Sequence, residues 1–281
     1  MDIFWIVLST VTLLVLLWLF SLRGKRKTND FYGLKAWHYA HRGLHNAEKN
    51  IPENSLSAFR VAVEQGYGAE LDVHLTKDGR LVVMHDESLK RTAGVEKNIC
   101  DCTWEELKLL RLEGTEEPIP LFEEVLALFE GRAPLVVEIK TYAGNHKILT
   151  EAVCKMLDRF PKLSFCVESF DPRVLMWLRK HRPKIIRGQL SCTIANHYEG
   201  NTNIVTWLLT QLFFNFLTVP HFVAYCFEER KNLANRLCTR IWGVQQFSWT
   251  IRKEMDGLQA LRENAAIIFE NYCPEVKSEN V

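Results

Sequence analysis

The fold class of this chain is decided by residues 69–86, which read AELDVHLTKDGRLVVMHD. Two short apolar runs in this stretch, Ala69–His74 and Leu81–His85, are typical of buried strands. Glu70 and Asp72 are two residues apart, so on a strand both carboxylates point to the same face. Carboxylate and imidazole side chains therefore lie together where strands end, which is how the active sites of α/β barrels are assembled.

The same pattern extends outward from this stretch in both directions. Further strands are predicted at Trp37–His41, Leu135–Ile139, Phe165–Glu168, Ile185–Leu190, Phe222–Cys226, Ile241–Ser248 and Ala266–Phe269. Helices are predicted at Leu56–Gln65, Thr103–Leu110, Leu121–Phe129, His146–Phe160, Arg173–His181 and Glu254–Glu263. This alternation predicts an α/β fold, a (β/α)8 TIM-type barrel. The nine candidate strands exceed the eight places, and we expect the surplus one to be residues 185–190 or 222–226.

An apolar segment precedes the predicted barrel. Residues 3–20 carry no charge, and about 20 such residues suffice to cross a bilayer. A cleaved signal peptide would begin with basic residues, whereas here Asp2 precedes the segment and basic residues follow it, at Arg23, Lys25, Arg26 and Lys27. We therefore predict one N-terminal transmembrane helix in the cell membrane with the barrel on the cytoplasmic side, the outward-facing barrel being the alternative.

Four regions follow from these boundaries. Residues 1–22 form the transmembrane anchor, 23–36 a basic juxtamembrane linker, 37–274 the barrel and 275–281 a C-terminal tail. The chain has 35 basic and 34 acidic residues, so its net charge does not indicate a nucleic-acid partner. Five of the eight cysteines lie in apolar segments and are predicted to be reduced core thiols: Cys154, Cys166, Cys192, Cys226 and Cys238.

A second apolar stretch, Ile204–Val219, is interrupted by polar residues, so we do not expect it to span a membrane. It fits a buried helix of the barrel. It also fits an amphipathic segment that rests in the membrane interface near the substrate entrance.

The residues at the strand ends suggest a reaction. Two carboxylates on one strand face repel each other unless a cation lies between them, and Mg²⁺ or Ca²⁺ suits oxygen ligands. Cleavage of a phosphodiester requires charge neutralisation on phosphate and a proton donor and acceptor. One divalent cation on Glu70, Asp72 and Glu138, with Arg42 and Lys140 beside it, could neutralise the charge. His41 and His85 could exchange the protons, since imidazole titrates near neutral pH.

The order and spacing of these motifs resemble the glycerophosphodiester phosphodiesterase family over about residues 37–274. The motifs that carry the resemblance are His41-Arg42-Gly43, Pro52-Glu53-Asn54-Ser55, Glu70-Leu71-Asp72-Val73, Thr76-Lys77-Asp78-Gly79, His85-Asp86, Arg91-Thr92, Glu138-Ile139-Lys140 and, more loosely, Ser169-Phe170-Asp171-Pro172 and Trp249-Thr250. The resemblance implies a TIM-type barrel that hydrolyses glycerophosphodiesters to sn-glycerol 3-phosphate and an alcohol, and the apolar N-terminal segment would make this chain a membrane-anchored member of the family.

The resemblance also implies roles for individual residues. His41 and His85 become the general acid and base, Glu70, Asp72 and Glu138 the metal ligands, and Arg42 and Lys140 the phosphate contacts. The sequence keeps a lysophospholipase D-like hydrolysis of membrane lysolipids open as an alternative, and, from another class, a non-catalytic scaffold.

Weaker expectations concern residues around this set. Glu168 is expected either to reach the metal site or Lys140 or to form a structural salt bridge, and Trp249 to line the substrate pocket. We expect Asn54 to cap the following helix. His38, His45 and His74 are interpreted as bystanders. Residues 269–274 depart from the Thr-Asp pair that usually ends the family's last strand, and we expect this change to be peripheral to the metal set.

Overall fold

A computed structural model describes residues 3–26, 31–193 and 203–276. Its nine strands are β1 His38–Ala40, β2 Gly68–Leu75, β3 Leu81–Val83, β4 Leu135–Ile139, β5 Phe165–Ser169, β6 Arg187–Ser191, β7 Phe222–Cys226, β8 Gln245–Ile251 and β9 Ala266–Phe269. All except β3 pair in parallel in the order β1, β2, β4, β5, β6, β7, β8, β9, and β9 pairs back to β1. The sheet is therefore a closed eight-stranded barrel, as the sequence predicts.

The surplus strand is β3, and the expectation that it would be residues 185–190 or 222–226 is wrong. β3 pairs antiparallel with β2, with Val73 opposite Val83 and Leu75 opposite Leu81. Only five residues connect the two strands, which suits a hairpin but is too short for a parallel crossover. β2 is eight residues long, so it extends past the barrel rim and β3 returns along that extension. His85 therefore reaches the site from outside the barrel, not from the end of a barrel strand.

The described helices surround this barrel. Their bounds are α1 Ile3–Ser21, α2 Tyr32–Lys35, α3 Leu56–Glu64, α4 Lys90–Ala93, α5 Trp104–Leu107, α6 Phe122–Phe129, α7 His146–Leu157, α8 Pro172–His181, α9 Ile204–Thr210, α10 Asn215–Thr218, α11 Leu233–Arg240 and α12 Glu254–Arg262. Short 3-10 turns lie at Ala47–Lys49 and Ile99–Asp101. The sequence interpretation missed α11, although its apolar residues Leu233, Ala234, Leu237 and Cys238 recur at helical spacing.

The barrel interior is closed from below by a segment expected to be a linker. Phe31 and Leu34 are buried at the start of the barrel and pack with inward-facing residues of its strands. The Phe31 ring lies 5.8 Å from Phe222 and 5.7 Å from Phe247. Part of the predicted linker 23–36 thus belongs to the core, while its residues 27–30 lie outside the described residues, as do 277–281 of the predicted tail.

Helix α1 is long and apolar enough to cross a membrane, and its side chains are exposed from Ile3 to Leu17. Its C-terminal end packs against the barrel, where Leu22 is fully buried. The Trp242 indole donates a hydrogen bond to the Leu19 carbonyl at 2.8 Å, and the Lys25 amide donates one to the Pro220 carbonyl at 2.7 Å. The helix is therefore attached to the barrel through defined contacts.

The apolar stretch Ile204–Val219 forms α9 and α10 and shows features of both predicted alternatives. Thr210 and Asn215 are buried against the barrel, and the Tyr225 hydroxyl donates to the Thr210 carbonyl at 3.2 Å. On the opposite side of α9, Ile204 and Trp207 are exposed by 67% and 49%. The segment packs on the barrel through one side and leaves an apolar side uncovered.

Candidate active site

The carboxyl ends of the barrel strands bring the predicted residues together around a cavity of about 220 Å³. Strand register aligns three acids, because Asp72 on β2 lies beside Glu138 on β4, which lies beside Glu168 on β5. The cavity is lined by His41, Arg42, Glu70, His85, Glu138, Lys140, Glu168 and Trp249, together with Phe170, Leu190, Thr250, Arg252 and Ile268. All predicted site residues except Asp72 line this cavity, and Asp72 forms ion pairs with two of the lining residues, Lys140 and Arg42.

Three carboxylates form a group that could hold a metal ion. One oxygen each from Glu70, Glu138 and Glu168 lies within 4.8 Å of the others, and all three residues are buried. Burial raises the pKa of each of these carboxyls, and repulsion from neighbouring carboxylates, Asp72 among them, raises it further, while Lys140 opposes the rise for Glu138 and Glu168. Glu168 Oε2 has no hydrogen-bond partner among the described residues. A buried acidic group of this kind fits a divalent cation with oxygen ligands.

Asp72 is held beside this group by cationic and amide donors. The Lys140 ammonium lies 3.1 Å from Asp72 Oδ1 and 2.9 Å from Glu138 Oε1, and the Asn54 amide donates to Asp72 Oδ2 at 2.9 Å. Burial alone would raise the pKa of Asp72, but Lys140, His85 and Arg42 hold it well below its usual range. Asn54 is therefore not the cap of α3. That cap is Ser55, whose hydroxyl accepts from the Ala58 amide at 3.1 Å.

A tight turn after β1 sets the positions of the Arg42 guanidinium and the Glu70 carboxylate. Arg42 and Gly43 have φ of 55° and 79°, and a side chain on Gly43 would approach Ala58 Cβ to 2.9 Å. The turn directs the Arg42 amide at Glu70 Oε2, 3.0 Å away, while the guanidinium bonds Glu53 at 3.0 and 3.1 Å. The backbone geometry of this turn thus positions both the Glu70 carboxylate and the Arg42 guanidinium.

Glu270, at the altered end of the last strand, lies outside the group formed by Glu70, Glu138 and Glu168, but it bonds His41 directly. Its Oε2 lies 2.6 Å from His41 Nδ1, and its Oε1 accepts from Arg252 at 2.6 Å. Burial lowers the pKa of His41 to about 4, although the Glu270 bond favours the charged ring. His41 Nε2 lies 4.0 Å from Glu70 Oε2. Because the barrel closes, β9 pairs with β1, and this pairing brings Glu270 next to His41.

His85 has a matching arrangement. Its Nδ1 lies 2.6 Å from Asp86 Oδ1, and Arg91 Nε donates to Asp86 Oδ2 at 2.6 Å. The hydrogen bond from His85 holds the pKa of Asp86 well below its usual range. His74, which the sequence interpretation took as a bystander, lies with Nε2 3.2 Å from the His85 carbonyl. Burial lowers the pKa of His74 to about 4, so its ring is neutral and supports the His85 backbone through Nε2–H.

The remaining predicted residue, Trp249, lies on the cavity wall. Its ring meets Phe170 edge to face, with centroids 5.9 Å apart. Its indole nitrogen is buried without a hydrogen-bond partner among the described residues, so an N–H donor is available at the cavity. The other predicted bystanders lie nearby: His38 is buried in β1, and His45 Nε2 lies 3.9 Å from Glu270 Oε2.

Comparison with known proteins agrees with this arrangement. The profile of the Glycerophosphoryl diester phosphodiesterase family matches residues 41–271. A glycerophosphodiester phosphodiesterase of Caldanaerobacter subterraneus is 33% identical over 227 residues, which cover 77% of this chain and 86% of the relative. The human lysophospholipase D GDPD1 is 36% identical over 163 residues, 53% of this chain and 49% of that protein.

Solved structures show the same fold. A phosphodiesterase from Oleispira antarctica, in complex with the product sn-glycerol-3-phosphate, aligns with a TM-score of 0.69 at 23% identity, covering 86% of this chain and 95% of that one. The glycerophosphodiester phosphodiesterase of Thermotoga maritima aligns with a TM-score of 0.63 at 26% identity, covering 83% and 94%. The family profile spans the barrel from the first site histidine to the residue after Glu270, and so the chain belongs to the glycerophosphoryl diester phosphodiesterase family and is a phosphoric diester hydrolase.

Proposed function

We propose that the chain hydrolyses glycerophosphodiesters to sn-glycerol 3-phosphate and an alcohol with the help of one divalent cation, with His41 and His85 exchanging protons. The observation that carries this proposal is the shared cavity, where two histidines, each bonded to a carboxylate at Nδ1, face a group of buried acids. A phosphodiester needs charge neutralisation and two proton transfers, and this cavity holds groups for both.

The metal ligands in this proposal are Glu70, Glu138 and Glu168, with Asp72 beside them. The unpartnered oxygen of Glu168 and the raised pKa of the three carboxyls support a site for Mg²⁺ or Ca²⁺. The ion would neutralise charge on the phosphate oxygens. Asp72 stays in the proposed set because a phosphate that draws Lys140 to itself would free Asp72 Oδ1 from its ion pair.

Each histidine has its Nδ1 bonded to a carboxylate, which leaves Nε2 for the substrate. With Nδ1–H donated to Glu270 or Asp86, the neutral ring presents a basic Nε2, and the carboxylate stabilises the ring once it is protonated. One ring accepts the proton of the attacking hydroxyl, either water or, as the family resemblance implies, a neighbouring hydroxyl of the substrate. The other ring donates a proton to the leaving alcohol.

The phosphate would be positioned by Arg42 and Lys140, which line the cavity beside the acids. The unpartnered indole N–H of Trp249, which lines the same cavity, adds a neutral donor. This division assigns Glu168 to the metal and leaves Arg42, Lys140 and Trp249 as the substrate contacts.

The names of two relatives support two candidate substrate classes, glycerophosphodiesters and lysolipids. Those at 33% and 36% identity are named a glycerophosphodiester phosphodiesterase and a lysophospholipase D. Both names describe cleavage of a phosphodiester that bears a glycerol, so the same catalytic residues serve either reaction. The difference lies in whether the site accommodates an acyl chain.

The catalytic proposal is tested with the purified full chain and glycerophosphocholine. Replacing His41→Ala or His85→Ala should lower kcat by about 10²- to 10⁴-fold, since each removes a proton transfer, and His181→Ala on α8 serves as the matched control. EDTA should abolish turnover and added Mg²⁺ or Ca²⁺ should restore it. Unchanged turnover in both histidine variants would remove the acid and base assignment, and insensitivity to EDTA would remove the metal.

We also propose that α1 anchors the chain in the cell membrane with the barrel in the cytoplasm. Cys273 is exposed, whereas six of the eight free cysteines are buried, so it offers a selective reporter of sidedness. A membrane-impermeant maleimide should label the chain only after cell lysis, and Cys273→Ser should suppress this labelling. Labelling of intact cells that Cys273→Ser suppresses would place the barrel outside.

A further inference from the structure

A cleft on the outside of the barrel, away from the candidate active site, is lined mainly by cations. It lies between α11 and the turn that follows α12, and its volume of about 520 Å³ is within the range of about 300–1,000 Å³ typical of small-ligand sites. It shares no lining residue with the active-site cavity. Its basic side chains are Arg230, Lys231, Arg236 and Arg240, and Glu263 is the one acid among its described lining residues. The cleft therefore carries a net positive charge.

The acid of the cleft is already paired within the protein. Glu263 Oε2 lies 3.1 Å from Arg230 Nε. Lys231, Arg236 and Arg240 have no carboxylate within ion-pairing distance in the part of the chain that the structure describes. Arg236 and Arg240 are one helical turn apart on α11, a spacing at which like charges repel each other. An anion in the cleft would compensate three positive charges that the protein leaves uncompensated.

The floor of the cleft is polar, although it lies between the sheet and the helices that cover it. Gln246 on β8 lines the cleft and is only 9% exposed. Its amide donates to the hydroxyl of Ser248, which is fully buried, at 3.3 Å. The two residues share the face of β8 opposite to Phe247, which packs in the barrel interior. The outer face of a barrel strand is usually apolar, so these groups provide an uncommon polar base for a ligand.

The cleft lies beside the end of the apolar helix α1. Val244 forms part of its wall, and a side chain on Gly24 would approach a Val244 methyl to 2.7 Å. A Cβ on Gly243 would lie 3.3 Å from Arg26 Cγ. The Trp242 indole donates to a backbone carbonyl of α1 at 2.8 Å. With α1 in a bilayer, this wall of the cleft lies at the level of the lipid headgroups.

Apolar and aromatic side chains accompany the cations at this end of the cleft. Ile241 directly follows Arg240 and is 58% exposed. The Arg23 guanidinium lies over the Phe20 ring, 4.8 Å from its centroid. Basic residues interleaved with apolar ones at the end of a membrane helix are typical of a surface that rests on negatively charged lipid.

We propose that the cleft between α11 and α12 binds the headgroup phosphate of an anionic phospholipid in the bilayer that holds α1. The inference rests on the proposed membrane anchor and concerns a site separate from the catalytic cavity. Arg236 and Arg240 contact the phosphate, and Ile241 enters the membrane interface beside it. The lipid is a ligand of this site and is not cleaved there. The barrel thereby gains a second attachment to the membrane, which depends on the charge of the leaflet.

The test compares melting temperatures of the full chain in nanodiscs of phosphatidylcholine and in nanodiscs that also contain phosphatidylserine, with EDTA present to prevent turnover. A ligand that binds only the native state raises the melting temperature, so phosphatidylserine should raise that of wild type by about 4 °C. The double variant Arg236→Gln/Arg240→Gln should lose at least half of this rise. In phosphatidylcholine alone it should melt within about 2 °C of wild type, because both side chains are exposed.

Two further variants separate the charge of the cleft from other effects, each compared with itself in phosphatidylcholine. Lys155→Gln/Arg159→Gln removes two cations at the same spacing at the end of α7 and should keep the whole rise. Arg236→Lys/Arg240→Lys keeps both charges in the cleft and should keep most of the rise. If wild type and Arg236→Gln/Arg240→Gln respond equally to phosphatidylserine, the cleft is not the lipid site and the proposal is overturned.

Inorganic phosphate identifies the source of the anion. Added at millimolar concentration to phosphatidylcholine nanodiscs, it should raise the melting temperature of wild type much less than phosphatidylserine does. Equal stabilisation by the two would assign the cleft to a soluble phosphate and overturn the lipid assignment. A chain that elutes apart from the nanodiscs would contradict the anchor and this proposal with it. Hydrolysis of glycerophosphocholine by the same sample, with metal in place of EDTA, reports separately on the proposed function.

Discussion

At the scale of single residues, the two histidines are placed by partners that are distant in sequence. Glu270 is 229 positions from His41, and His74 supports His85 from the neighbouring strand. The local sequence around each histidine identifies the histidine but not the distant residue that holds it in position. What each histidine can do depends on which ring nitrogen bonds the carboxylate, because a bond at Nδ1 leaves Nε2 for the substrate.

Replacing Glu270→Gln keeps a hydrogen-bond acceptor for His41 and removes the charge that stabilises the protonated ring. We expect kcat to fall about 10- to 100-fold with a smaller change in KM, by analogy with carboxylates that orient a histidine in other enzymes. Steady-state kinetics on glycerophosphocholine measure this. Glu263→Gln, which removes a carboxylate paired with Arg230 away from the cavity, is the control. A kcat within twofold of wild type would show that Glu270 only packs.

Glu168→Gln tests the metal group. Removing one of three mutually repelling buried carboxylates should raise the melting temperature in EDTA by about 2–4 °C, a gain of about 1 kcal/mol. The rise in melting temperature on adding saturating Ca²⁺ should shrink, because a ligand is lost. Thermal melts with and without Ca²⁺ measure both, with Glu151→Gln, at a partly exposed residue of α7, as control. An unaltered Ca²⁺ response would exclude Glu168 as a ligand.

The sequence was sufficient to predict which residues meet in the proposed site and insufficient to predict the residues that support them. His41, Glu70 and Glu138 could be predicted because the ends of barrel strands converge, and His85 was included although it follows the hairpin strand β3. The role of Glu270 was missed because only closure of the sheet makes β9 a neighbour of β1. The partners of Asp72 were missed because ion pairing depends on side-chain conformations that spacing does not determine.

At the scale of elements, the β2–β3 hairpin is the feature that the strand pattern concealed. Apolar runs alone do not give strand direction, so β3 looked like a barrel strand. The five-residue connection Thr76–Arg80 was the available signal. The hairpin brings the Met84 amide within hydrogen-bonding distance of the Asp72 carbonyl, 3.0 Å, one residue before His85. The position of the second histidine therefore depends on the turn.

Gly79 in that turn has φ of 81° with nothing within 4 Å of the position a Cβ would take. Gly79→Ala should lower the free energy of unfolding by about 1–2 kcal/mol, purely through backbone strain, and should lower kcat by shifting His85. Urea denaturation and kinetics measure the two effects. Gly33→Ala is the control, because Gly33 has equally open space but no left-handed φ. Equal costs for the two variants would exclude backbone strain.

At the scale of the whole molecule, a buried histidine lies where the segment after α1 meets the barrel. His221 lies 3.3 Å from the Lys25 ammonium and 3.3 Å from the Arg187 amide. Burial and, to a smaller extent, the nearby cations Arg187 and Lys25 lower the pKa of His221 from its usual 6.5 to about 3. Between about pH 3 and pH 6.5 the native ring is therefore neutral while the ring in the unfolded chain is protonated, so stability falls as pH drops through this range.

The variant His221→Gln should lose less stability than wild type on acidification. At pH 5 the wild-type penalty from this ring is about 2 kcal/mol, because the unfolded state binds a proton that the native state does not. Free energies of unfolding at pH 7 and pH 5 measure the difference, with His181→Gln, on the exposed side of α8, as control. If wild type and His221→Gln lose equal stability, His221 does not contribute to the acid sensitivity.

Phe31 and Leu34 determine where the enzyme can be shortened. A catalytic fragment that begins at residue 37, the predicted barrel boundary, would open the bottom of the barrel to water and uncover Phe222 and Phe247. Such a fragment would expose a new apolar surface and tend to aggregate, even though every catalytic residue is retained. A useful soluble enzyme must keep the sequence from Phe31 onward.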